Sequence, residues 1–234
     1  MEDRLPIEFA ENTEDRIPVV LMLDTSDSML TVRKGQDESP MAALKGALDV
    51  IQSGISSDPL ARKRADISFL VYGTEVHEPT PFATVDAEHF ALPELQKNGL
   101  TSTNQAIMDA LNLVEARKEE YKAAGIKYYR PIIFLLTDGV PMDPEKHAEA
   151  VQQLQSALDQ KKTSFYTIAI EGADLKQLAT YPNSAPNQQP LALEGTKFEE
   201  FFTWLSASLS SVSQSRPGEG DVSIPPPTEW TISV

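Results

Sequence analysis

Two uninterrupted apolar runs, Ile17–Leu23 and Pro131–Leu136, constrain this 234-residue chain more than any other feature. Neither approaches the roughly 20 apolar residues that a membrane-spanning helix needs. Neither alternates apolar with polar residues, as a strand with one wet face would. Such runs suit strands buried on both faces of a parallel sheet. Asp66–Tyr72 and Ser164–Ile170 read as further strands, and Leu191–Leu193 as a short last one. Pro79 and Pro81 demote the extended Glu75–Val85 segment to an edge.

Between these runs the period changes. Met41, Leu44, Leu48, Ile51 and Ile55 keep helical spacing, as do Ile107, Ala110, Leu111 and Val114. Asp143–Gln160 carries Val151, Leu154 and Leu158 on one face, and Phe198, Phe201, Phe202, Leu205, Leu209 and Val212 form the most apolar helical face. Strands that alternate with helices predict an α/β fold: a doubly wound, mostly parallel central sheet with helices on both faces. We expect a polar N-terminal extension over 1–16, frayed or adding a short strand through Ile7 and Phe9. The domain proper covers 17–213, and a tail covers 214–234, with Trp230 docked back on the domain.

Composition narrows the function. With no cysteine, disulfides, thiolate zinc sites and thiol nucleophiles are excluded. A net charge of −15 argues against nucleic acid, whose phosphates are bound by Lys and Arg, and against anionic membrane surfaces. The acidic start lacks the apolar core of a secretory signal, so a soluble cytoplasmic protein is expected. His77, His89 and His147 lie in acidic, loop-like surroundings and read as surface residues.

The chemistry gathers at strand ends. In a doubly wound sheet, ligands bind outside the carboxyl ends of the strands. There Ile17–Leu23 runs into Asp24-Thr25-Ser26-Asp27-Ser28, and Pro131–Leu136 into Thr137-Asp138-Gly139; Thr101 lies in the polar loop Asn98–Ser102. Asp24, Ser26, Ser28, Thr101 and Asp138 offer two carboxylates and three hydroxyls, the hard oxygen donors that magnesium prefers. Manganese or calcium would serve as alternatives. Such a shell leaves the cation short of ligands, so it attracts a carboxylate from outside. Each motif alone has an ordinary explanation, since Asp and Ser also cap turns. A hydrolase or phosphotransferase using Asp24 as nucleophile is the rival. Phosphatases of the haloacid-dehalogenase type need a second aspartate two residues on, where this chain has Ser26. A metal-free scaffold is the third reading.

With those residues in hand, the chain resembles the von Willebrand factor A (VWA) superfamily. The metal-ion-dependent adhesion site of that superfamily has the pattern Asp-x-Ser-x-Ser, then Thr, then Asp. Thr101 is preferred over Thr103 because Gly99-Leu100-Thr101, with Ala106 five places on, fits the superfamily's spacing. RIPVVLMLDTSDSM, NGLTSTNQAI, YYRPIIFLLTDGVPMD and FEEFFTWLSASLSSVSQSRPG are similar to bacterial cytoplasmic stand-alone members of the tellurium-resistance-associated type. The resemblance implies a non-enzymatic module that docks a partner's Glu or Asp. The implied partners are kinase-like, phosphatase-like or tellurium-resistance proteins of stress-response or defence systems. One departure is Asp27, where this loop commonly has Gly. A third carboxylate facing the metal would strengthen its hold and weaken the pull on an acidic partner; facing solvent, it would do neither.

Overall fold

The computed structural model describes residues 7–194, 197–218, 224, 226, 227 and 230. Its elements are α1 (Ile7–Glu11), β1 (Ile17–Asp24), α2 (Pro40–Ser56), α3 (Ala61–Arg64), β2 (Ala65–Tyr72), β3 (Ala83–Thr84), α4 (Thr103–Ala124), β4 (Ile132–Thr137), α5 (His147–Asp159), β5 (Ser164–Ile170), α6 (Leu175–Leu178), β6 (Leu191–Leu193) and α7 (Phe198–Ser213). Six strands form one sheet in the order β3-β2-β1-β4-β5-β6. The two-residue β3 is antiparallel to β2, and the other pairings are parallel. The doubly wound expectation therefore holds.

Period-two geometry divides each apolar run between the two faces. Ile17, Val19, Leu21 and Leu23 enter the core under α2 and α7, whereas Val20 and Met22 enter the core under α4 and α5. That is why β1 and β4 show no polar alternation. Ser39 opens α2 by accepting the Ala42 amide at 3.3 Å, and Pro40 follows at the first helical position, where its missing N–H costs nothing. Trp230 packs on Phe201 and Trp204 and is 5% exposed, so the expected docking of this residue holds, while most of the tail around it lies outside the described residues.

One expectation fails. Ile7 and Phe9 do not add a strand; they belong to α1, and Phe9 packs edge-on against Tyr121 of α4 at 5.8 Å. A five-residue helix has too few turns to print a period, and apolar residues two apart mimic a strand. The helix expected over Asp143–Gln160 begins later, at His147, after a turn of 3₁₀ helix over Pro144–Lys146.

Candidate functional site

β1 and β4 are neighbours in parallel register, so the loops leaving Asp24 and Thr137 start side by side at the carboxyl edge of the sheet. Asp24 has no exposed surface, and its carboxylate is gripped on both oxygens. The Ser26 amide donates to Oδ1 at 2.8 Å and the Thr137 hydroxyl to Oδ2 at 2.5 Å. Ser26 Oγ stands 3.1 Å from Ser28 Oγ, and Ser28 Oγ donates to Asp138 Oδ1 at 2.7 Å. Thr101 enters from the third loop. A Cβ built on Gly139 would lie 3.0 Å from Thr101 Oγ1 and 3.3 Å from Asp24 Oδ2, so both oxygens converge on one small space that a side chain here would crowd. Thr103, the alternative threonine, is fully buried as the first residue of α4.

The five candidate donors thus come together from three loops. Adjacent ligands of an octahedral magnesium ion lie about 2.9 Å apart, given bonds of about 2.0–2.1 Å. The 2.7 and 3.1 Å oxygen spacings fit that scale. Among the described residues no cluster of three or more His, Asp or Glu suited to a metal exists. The donor set is two carboxylates plus hydroxyls, which suits a small hard cation and not an imidazole- or thiolate-bound metal.

Electrostatics favour the same cation. Burial pushes the Asp24 carboxyl up to about 6, and the nearby Asp138 charge adds to the rise; hydrogen bonds from Ser26 and Thr137 oppose it. A buried anion without a positive partner is costly. Hydrogen bonds alone leave the Asp24 charge uncompensated.

The structure also places residues that the sequence motifs missed. Arg33, in the loop after β1, ion-pairs through Nη2 with Asp138 Oδ2. Its guanidinium lies against Gly172, where an added Cβ would meet Nε at 2.7 Å. The same loop is tied down again by Gln36, which donates to Glu171 at 2.8 Å. Asp143 accepts the backbone amides of Asn104 and Gln105 at 3.2 and 2.9 Å, capping α4 from a distant loop. The open question at Asp27 is answered: its carboxylate faces outward and pairs with Lys97 Nζ at 3.3 Å. Of the three histidines, His77 and His89 are exposed, whereas His147 is half-buried against Asn104 and Tyr181.

A mostly parallel α/β sheet covered by helices on both faces belongs to the doubly wound class, in which the carboxyl edge of the sheet is where ligands bind when there is one. More narrowly, the chain belongs to the von Willebrand factor type A domain family, whose profile matches residues 19–203; these domains are known as protein-interaction modules. Similar solved structures include the pilus adhesin SpaC from Lactobacillus rhamnosus GG, at TM-score 0.64 and 12% identity, over 85% of this chain and 31% of that one. Proximal thread matrix protein 1 from the mussel byssus matches at TM-score 0.55 and 14% identity, over 85% of this chain and 48% of that one. The vWF domain of the type V pili tip protein Mfa5 from Porphyromonas gingivalis matches at 0.51 and 13%, over 86% of this chain and 95% of that one. At these identities the likeness is one of fold, and this chain spans less than half the length of the first two. No curated protein matches it. Among the described residues no helix is long and apolar enough to cross a membrane.

Proposed function

We propose that this domain docks a carboxylate of a partner protein on a divalent cation, magnesium first, held by Asp24, Ser26, Ser28, Thr101 and Asp138. One observation carries the reading. Ser28 joins Ser26 to Asp138 through contacts of 3.1 and 2.7 Å, so loops more than 100 residues apart share one oxygen cluster beside a buried, unneutralised Asp24. Bound there, the cation would supply an electrophile with a free position for an external Glu or Asp. The chain's own residues set the shape of the site. Thr137 and the Ser26 amide fix the Asp24 carboxylate, Gly139 leaves room beside Thr101, and Asp143 anchors the loop that carries Asp138.

We read the domain as an interaction module and not an enzyme. Both oxygens of Asp24 are engaged, and Ser26 stands where a nucleophilic aspartate would need its acid–base partner. The similarity of the segments quoted above supports placing the chain in a cytoplasmic bacterial stress-response or tellurium-resistance system. Calorimetric titration tests the core reading. The protein should bind magnesium or manganese at one site, and Asp138→Ala and Ser26→Ala/Ser28→Ala should remove or cripple that binding. Unchanged affinity in both variants would refute it, and no binding by the parent would leave a metal-free scaffold. Magnesium-dependent phosphatase, ATPase or peptidase turnover lost in Asp24→Asn would instead establish an enzyme.

A further inference from the structure

Among the described residues, the large hydrophobic side chains that stand exposed are Leu30, Val32, Leu100, Val140 and Met142, at 41 to 56%. All five sit on the three loops that supply the candidate oxygen donors. Leu30 and Val32 follow Asp24, Ser26 and Ser28; Leu100 precedes Thr101; Val140 and Met142 follow Asp138. Backbone hydrogen bonds join these loops. The Asp27 amide donates to Gly99 O at 2.8 Å, and the Met142 amide to Thr101 O at 2.8 Å. Exposed apolar residues scattered singly over a surface need no explanation, but a group of them confined to one face marks an interaction site. Here the rest of the described surface carries none.

We infer that Leu30, Val32, Leu100, Val140 and Met142 form an apolar collar around the docking site, and that its occupant is a partner segment whose Asp or Glu is flanked on both sides by large apolar side chains. This rests on the carboxylate-docking reading and sharpens it by naming the partner's neighbouring residues. Charge supports that occupant. A chain of net charge −15 repels an acidic partner at long range, so affinity must come from contact. The metal contact alone gives every accessible carboxylate the same hold. Burial of apolar flanks against the collar separates one acidic segment from another, since discrimination comes from contacts that only the right partner completes. A second copy of this chain fits poorly. Among the described residues its exposed large apolar side chains are those of the same collar, and face-to-face packing would set one candidate site against the other.

The test is a displayed peptide library with one fixed Asp and three randomised residues on each side, selected on the full chain in magnesium. The expected result is enrichment of Leu, Ile, Phe, Met or Val on both sides of the Asp. A selected peptide should bind at least about ten-fold more tightly than the same peptide with serine flanks, about 1.4 kcal/mol. The variant Leu30→Ser/Val32→Ser/Leu100→Ser/Met142→Ser should erase that difference while magnesium affinity by calorimetry stays unchanged, which shows that the fold and the oxygen cluster survive. Flat, polar or basic flank profiles, or no enrichment, would overturn the collar. So would a concentration-dependent dimer in sedimentation that the serine variant abolishes. Chelator separates the two claims. Apolar-flank preference that persists in chelator, and with Asn in place of the fixed Asp, would refute carboxylate docking while leaving the collar as an apolar surface.

Discussion

Two places in this protein bury carboxylates among the same few strands, and they treat the charge in opposite ways. Near the amino end of β2, Asp66 is fully buried, and its Oδ2 receives Arg117 Nε at 3.0 Å, Arg117 Nη2 at 2.8 Å and the Tyr121 hydroxyl. Burial raises the Asp66 pKa, with Arg117 and Tyr121 pulling against it. Arg117 is itself sandwiched, 4.9 Å from the Phe9 ring centre and 5.4 Å from that of Phe82, and it also pairs with Glu8 and Glu120. At the carboxyl edge, Asp24 has only amide and hydroxyl donors, and Asp138 has Arg33, whose side chain is 20% exposed against 6% for Arg117. A buried carboxylate with an enclosed cation of its own is architecture. One whose cation is missing, or reaches it from a surface loop, is suited to an ion from solution.

Substitutions can break or sharpen this contrast. The largest effect should come from Arg117→Met, which strands Asp66 in the core. Removing one member of a buried pair costs about 3–5 kcal/mol. Urea denaturation should show that loss while calorimetry shows no change in metal affinity; a loss under 1 kcal/mol would mean Asp66 is not held as a buried anion.

Asp24→Asn should act in the opposite direction on the metal-free protein. Because the folded-state pKa of Asp24 is raised from 3.8 to about 6, its favourable contribution is full below about pH 4 and is lost as pH rises through about 6. At about 1.4 kcal/mol per pKa unit, the ionised carboxylate costs about 3 kcal/mol at pH 7. In chelator the asparagine variant should be more stable than the parent by about that amount at neutral pH. The advantage should vanish towards pH 4, and metal binding should be lost. Equal stability across the pH range would show that the Asp24 charge is compensated internally after all.

Arg33→Ala tests whether the surface-loop cation competes with the metal for Asp138. A partly exposed pair contributes up to about 1 kcal/mol, so metal affinity should rise by up to about five-fold. A fall in affinity would make Arg33 a support of the site. Asp27→Gly should do least. With Asp27 turned outward to Lys97 and both side chains more than half exposed, metal affinity should change by less than about two-fold. A ten-fold weakening would put Asp27 among the ligands.

The same contrast explains what could be read from the sequence. β1 and β4 appear within one residue of where their apolar runs predicted them, because burial on both faces writes itself as uninterrupted hydrophobicity. Asp24, Ser26, Ser28 and Asp138 were legible as candidates because their positions are local to strand ends, whereas Thr101 came from the spacing that the family resemblance implies. Arg33, Asp143 and the Arg117–Asp66 pair were not legible. Arg33 and Asp138 are 105 residues apart, and Arg117 and Asp66 are 51 apart, so only the folded sheet brings them together. The helix α1 was missed because its five residues span little more than one turn.

α4 runs 22 residues from Thr103 to Ala124, close beside Thr101 at one end and reaching Arg117 towards the other. Its first turn is fastened to the loop after β4 through Asp143, and Arg117, about 20 Å along the axis at 1.5 Å per residue, is fastened to Asp66. A strut clamped at two points cannot slide along its length. On the proposed reading, any adjustment of Thr101 to a larger or smaller ion would therefore be made within its loop, and the position of α4 would set how far that loop can give.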